Sequence, residues 1–173
     1  RRITVSTQNG VACESVSTAA VTVTVQSIPT AGVIGSNQTI CNGAAPASFT
    51  STTDGTGSGA ITYEWQSDPG TGYTNIAGAV LSTYIPGTPA TTTYYRRRTA
   101  SASGGTTCYS PYTAPVTLTV GANPTATITP ATPQTCAGIP IPLTATPSGG
   151  SGIYTTHIWT GPGAASLNNP NIS

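Results

Sequence analysis

Charge is what this sequence has least of. Lysine is absent, the five basic residues are all arginines, and the acids are Glu14, Asp54, Glu64 and Asp68. The formal net charge is +1 at pH 7. A chain so near neutrality has no electrostatic footprint for DNA, RNA or an anionic membrane surface. No apolar run approaches the ~20 residues that a membrane-crossing helix needs. No Cys-x-x-Cys pair and no histidine cluster is present, which argues against a metal site. The single histidine, His157, has no serine or cysteine with a neighbouring acid to complete a triad. It stands two residues before Trp159, so packing on the same face is the reading. No stretch shows a 3.6-residue apolar period with caps, and essentially no helix is expected. A secretion signal is also missing, but a chain that starts inside a repeat unit has lost its natural start, so that absence carries no weight.

Threonine, serine, glycine, alanine and proline take the place of charge. Thr and Val favour strands, while Gly and Pro punctuate turns. The same composition suits a disordered, mucin-like stalk. Against that, Trp, Tyr and Val recur at strand period. In Ala60–Gln66, Ile61, Tyr63 and Trp65 face one way and Thr62, Glu64 and Gln66 the other. Val116, Leu118 and Val120 alternate with Thr117 and Thr119 in the same manner. Further strands are expected at Ala47–Thr52, Leu81–Ile85 and Thr91–Thr99, with a turn at Gly70–Gly72.

The chain also repeats itself. Residues 1–30 align without a gap on residues 96–125, with 15 of 30 positions identical. Cys13 falls on Cys108 and, at the same offset of 95 residues, Cys41 falls on Cys136. An unbroken register of this kind marks a tandem array. Three pieces follow: 1–26, the closing strands of one module; 27–121, a complete module; and 122–173, the head of a third. About 95 residues are enough to bury a modest core. Six or seven short strands with regular turn signals describe an all-β sandwich of immunoglobulin-like type, with Trp65 on its third strand. Pro29 and Pro124 mark equivalent junctions, and short Pro-bearing linkers favour a semi-rigid rod.

Six phrases in order carry a resemblance. They are Gln38-Thr39-Ile40-Cys41-Asn42-Gly43, Tyr63-Glu64-Trp65-Gln66, Asn75-Ile76-Ala77-Gly78-Ala79, Tyr84-Ile85-Pro86-Gly87, Thr92-Thr93-Tyr94-Tyr95-Arg96-Arg97 and Val116-Thr117-Leu118-Thr119-Val120. The string resembles the immunoglobulin-like repeats of giant surface proteins from Bacteroidetes. The third piece, with Trp159-Thr160-Gly161-Pro162-Gly163, is similar to the PKD-like repeats found beside them. The resemblance implies a secreted or cell-surface protein, often a type IX secretion substrate. Relatives of this kind include SprB-like adhesins of gliding motility and stalk modules of secreted enzymes. A dedicated carbohydrate-binding module is a further alternative. The expected partners are neighbouring modules of the same chain, surface glycans or other cell-surface proteins. No cofactor and no catalysis within this segment are expected.

An extracellular setting permits disulfides. Cys41–Cys108 within the module is the simplest pairing; Cys13–Cys41 with Cys108–Cys136 across the junctions, or free thiols throughout, are the alternatives. Arg96, Arg97 and Arg98 form the one charge run; alternation puts Arg96 and Arg98 on one face and Arg97 on the other. They read as a charged strand that discourages edge pairing, or as stems packed over Tyr rings. With Tyr109 and Tyr112 of the following connection, Arg96 and Arg98 are the candidate surface contacts. Glu64 and Asp68 are the closest acidic pair, too few ligands for a calcium site and too little cleft for a glycosidase. Asn37-Gln38-Thr39 and Asn171-Ile172-Ser173 match the N-glycosylation sequon, read here as chance matches.

Overall fold

The structure, a computed structural model, describes residues 1–35, 37–160 and 171–172. It is all-β, with no helix among the described residues. The strands of the first piece are β1 (Val5–Gln8) and β2 (Val11–Glu14). Next come β3 (Val33–Ile34), β4 (Gln38–Cys41), β5 (Ser51–Thr53), β6 (Ala60–Asp68), β7 (Thr74–Asn75), β8 (Thr93–Ser103), β9 (Thr106–Tyr109) and β10 (Val116–Gly121). The third piece holds β11 (Pro124–Thr129), β12 (Leu143–Gly149) and β13 (Asn171–Ile172). Gly161–Gly163 and Ser173, which entered the PKD-like comparison and the second sequon, lie outside the described residues.

The expected strands at 60–66, 91–99 and 114–120 appear with shifted ends as β6, β8 and β10. Leu81–Ile85 yields only one bridge, Tyr84 to Phe49. Pro86 follows at once and has no N–H to extend a ladder. The largest sheet has the order β4-β10-β8-β6-β7, with β9 also paired to β8. β8 is its axis: β6 runs antiparallel along one edge, and β10 and β9 share the other. β4 lies parallel to β10, and β3 pairs with β5 in a small second sheet. The segment Val33–Cys41 therefore divides between two sheets. Gly32 makes this approach feasible: its φ is +70°, and a Cβ there would stand 2.2 Å from the Thr53 carbonyl oxygen.

A period of two along β8 sends Thr93, Tyr95, Arg97, Thr99 and Ser101 inward, and all five are buried. The core cluster is Ile34, Phe49, Trp65, Tyr95, Val116 and Leu118. It joins the two sheets, an arrangement consistent with a β-sandwich. The Phe49 ring lies 6.3 Å from Trp65 and 5.1 Å from Tyr95, centroid to centroid. The indole Nε1 of Trp65 donates to the Leu81 carbonyl at 2.9 Å. Of the residues expected in the core, Trp65, Val116 and Leu118 are buried. Ile61, Tyr63 and Val120 are only half-buried, at its margins.

Two segments that align in the sequence form hairpins of the same register. In the first hairpin Val5 faces Glu14 and Ser6 faces Cys13; in the β8–β9 hairpin Ala100 faces Tyr109 and Ser101 faces Cys108. These are the same positions at an offset of 95 residues. Asn9 and Gly10 turn the first hairpin and Gly104 and Gly105 the second, all with positive φ, as a two-residue hairpin turn of this kind requires. The side-chain bonds recur as well. Thr18 Oγ1 accepts from the Arg2 amide and Thr113 Oγ1 from the Arg97 amide. Ser15 Oγ accepts from the Thr4 amide and Ser110 Oγ from the Thr99 amide.

The apolar strand after the hairpin behaves differently in the two copies. Val116 and Leu118 are 6% and 0% exposed, whereas their counterparts Val21 and Val23 are 84% and 81% exposed. The central strand lies between β8 and β4, whereas Val21–Val25 belong to no sheet. In the third piece β11 pairs with β12, but Ile128 faces Ala145 where the offset would bring Ser148. Trp159, expected in a core, is half-buried. His157, Ile158 and Trp159 line an open groove together with Tyr154 and with Ile128 and Ala145 of β11 and β12.

Candidate functional site

Three consecutive arginines on one strand have three different surroundings. β8 is a central strand, not an edge, so the run does not serve to discourage edge pairing. Arg97 takes the inner parity and is wholly buried. Its Nη1 donates to Ser51 Oγ at 3.1 Å and, very closely, to the Ser82 carbonyl. Its Nη2 makes longer contacts with the carbonyls of Ala31 (3.4 Å) and Thr53 (3.5 Å). The guanidinium lies over the Tyr63 ring, 4.2 Å from the centroid. Burial depresses its pKa, partly opposed by Tyr63 and Asp54. Arg97 thus ties β8 to the β3–β5 side and to the segment carrying Ser82.

Arg96 and Arg98 take the outer parity, where the sheet presents a tyrosine–arginine stack. The Arg96 guanidinium lies between Tyr73 and Tyr112, 3.7 and 4.1 Å from the two ring centroids. Arg98 sits 4.1 Å from the Tyr109 centroid and 5.2 Å from that of Tyr112. The reading of arginine stems packed over tyrosine rings describes this arrangement; cation–π contacts at exposed sites contribute ~0.5–1 kcal/mol each. Glu64 faces Arg98 across the β6–β8 ladder. Arg98 Nε lies 2.8 Å from Glu64 Oε1, and Nη2 donates to Oε2 at 3.1 Å. The Tyr112 hydroxyl donates to Glu64 Oε1 at 3.1 Å. The Glu64 hydrogen bond raises the Arg98 pKa. Arg96 is held differently: its Nε donates to Gln66 Oε1 at 2.8 Å, and Gln66 Nε2 donates to Asn75 Oδ1 at 2.7 Å.

Glu64 and Asp68 do not act as a pair. Asp68 Oδ1 accepts from the amides of Gly70 (2.7 Å) and Gly72 (2.8 Å), pinning the turn between β6 and β7. Those two amides, that of Gly72 foremost, hold its pKa below the ordinary 3.8. A depressed carboxylate contributes stability above its unfolded value near 3.8, and that contribution is lost as pH falls through the lower folded value. Carboxyl carbon NMR should therefore place the Asp68 midpoint below 3.8, with the Gly70 and Gly72 amide shifts moving in step. A midpoint at or above that value would mean the turn is not held this way.

The cysteines are a correction to the favoured pairing. All four are free thiols, with Cys13, Cys41 and Cys136 exposed and Cys108 half-buried. Cys41 faces Gly121 at the far end of β10, while Cys108 faces Ser101 near the opposite end of β8. At ~3.3 Å per residue the two lie roughly 30 Å apart along the sheet, far beyond the ~7 Å Cα separation a disulfide tolerates. The split of the first strand brings Cys41 to the last strand but to the wrong end of it. Among the described residues no cluster of three His, Cys, Asp or Glu side chains is placed to hold a metal, and no helix is long and apolar enough to cross a membrane.

A family described as a domain of unknown function (DUF8696) matches residues 30–122. The chain belongs to this family. The DUF8696 match runs from just before β3 to just after β10, so the core, the buried Arg97 fork and the outer tyrosine–arginine stack all fall within it. Neither the curated proteins nor the solved structures hold a match to the chain. Within the DUF8696 segment the sequence pointed to Arg96, Arg98, Tyr109 and Tyr112 as surface contacts, and these four share the outer stack. Tyr73 and Gln66 complete it and were not singled out. Outer parity with Arg96 was the available signal for Gln66; for Tyr73, in a turn, there was none.

Proposed function

We propose that this chain is a structural and adhesive segment of a large extracellular cell-surface protein, built from tandem immunoglobulin-like modules and without catalysis of its own. The observation that carries the reading is the hairpin recurring at 95 residues with its Arg, Thr and Ser hydrogen bonds. Contacts across both junctions support it. Gln26 Nε2 donates to the carbonyls of Ser103 (2.9 Å) and Thr106 (3.1 Å), and Asn123 Nδ2 donates to the Asn42 carbonyl at 3.1 Å. Such bonds restrain bending between neighbours. Each module is then a stiff spacer; repetition sets length and presents a weak surface many times, so contacts add by multivalency. The partners of this reading are adjoining modules and, at the exposed faces, surface glycans or surface proteins.

Autonomy of the central module is the direct test. Residues 27–121 alone should unfold in one cooperative thermal transition, with a midpoint close to that of the matching transition in residues 1–173. An isolated segment that fails to fold, or melts without cooperativity, would remove the basis for a modular array.

A further inference from the structure

The outer face of the large sheet is polar and tyrosine-rich. Its residues, taken at outward parity, are Thr62, Glu64, Gln66 and Asp68 on β6, Tyr94, Arg96 and Arg98 on β8, and Thr117 and Thr119 on β10. No aliphatic side chain larger than alanine stands among them. A protein-binding patch is expected to have a desolvated apolar centre; this face has hydroxyls, amides and aromatic planes instead. Tyr94 and Tyr109 are 41% and 47% exposed.

The charges on this face are unequally satisfied. Arg98 is paired with Glu64, and Asp68 is taken up by the Gly70 and Gly72 amides. Arg96 has no carboxylate within ion-pair distance among the described residues, and only its Nε is used, by Gln66. Two tyrosine rings and Gln66 fix the plane of the guanidinium, which leaves the two terminal nitrogens as an oriented fork. Such a fork matches a carboxylate bidentately. The first piece keeps Arg1 and Arg2 for Arg96 and Arg97, but has Ile3, Glu14 and Ser17 where the stack has Arg98, Tyr109 and Tyr112. Arg96 and Arg97 thus have counterparts in the first piece, whereas the stacking partners Arg98, Tyr109 and Tyr112 do not.

The geometry points to this face as a binding surface for a carboxylated polysaccharide, with Arg96 taking a uronate carboxylate and the exposed Tyr94 and Tyr109 flanking it as platforms for sugar rings. This stands whether or not the parent protein is a tandem array. The test is binding of residues 1–173 to immobilised polygalacturonate at low salt, beside its methyl-esterified form. Binding to the acid polymer and not to the ester is expected. Arg96→Gln should weaken it by roughly tenfold or more, the scale of a lost charge-assisted contact. Arg1→Gln, which makes the same change in net charge, should leave it intact. Thermal melting confirms that the variants fold; if Arg96→Gln does not, Thr117→Glu sets a competing carboxylate on the same face and should give the same loss. Absence of binding, equal binding to the ester, retention by Arg96→Gln or Thr117→Glu, or an equal loss with Arg1→Gln would each overturn the proposal. So would a preference for polyglutamate, which would assign the face to an acidic polypeptide.

Discussion

Replacing Arg97 by alanine is expected to destabilise the DUF8696 domain by about 4 kcal/mol, a loss on the scale of breaking a buried charged contact. The side chain is fully buried on the central strand. Truncation would leave the Ser82 carbonyl and the Ser51 hydroxyl without their donor, with smaller losses at the longer contacts to Ala31 and Thr53. It would also open a void beneath Tyr63. A domain of this size has ~5–14 kcal/mol of stability in all, so the variant should sit near the edge of folding. Lysine should recover less than half, because a single ammonium cannot span both sets of acceptors as the planar fork does. Denaturant titration measures this as a lowered midpoint with an unchanged slope. The informative comparison is Arg97→Met, which keeps volume without donors. If methionine is as stable as arginine, the hydrogen bonds only offset the desolvation of the charge, and Arg97 is not what joins the sheets.

Trp65→Ala should cost about 3–5 kcal/mol, the usual range for deleting a buried aromatic ring. Trp65 is 0% exposed, lies near Phe49 and Tyr84, and satisfies the Leu81 carbonyl. Residues 76–85 are held by the Tyr84–Phe49 bridge and by single backbone bonds from the Ile76 amide to the Trp65 carbonyl and from the Tyr63 amide to the Val80 carbonyl, so loss of the ring should also loosen this segment, which borders the core through Ile76, Ala79 and Tyr84. A domain of 60–100 residues shifts its Tm by ~4–8 °C per kcal/mol, so a fall of about 20 °C is expected by calorimetry. Hydrogen exchange should show the Tyr84 and Phe49 amides, which exchange a pair of backbone bonds, losing protection ahead of the β6–β8 ladder. Uniform loss across both would mean that this segment has no separate dependence on the indole.

What the sequence determined by itself was local and periodic. Alternation located β6 and β10, strand-favouring residues located β8, and the direct alignment at 95 residues picked out two segments that form hairpins of the same register. It placed Trp65, Val116 and Leu118 in the core because all three sit on long strands where every second residue is apolar. It also separated Arg97 from Arg96 and Arg98 by parity, which is a property of any strand.

The tertiary structure decided how deeply the inward parity of β8 is buried. Arg97 is inside because Ser51, Ser82 and Tyr63 converge on it from other segments, and no local pattern announces such acceptors. Phe49 is a core residue without a strand of its own, fixed by a single bridge to Tyr84. The cysteine pairing failed for a related reason. Sequence offset put Cys41 and Cys108 in one module, but only the parallel β4–β10 register set them at opposite ends of the sheet. Periodicity reports the face of one strand, whereas burial, partnership and distance depend on which strands lie beside it, and that is set by contacts distant in sequence.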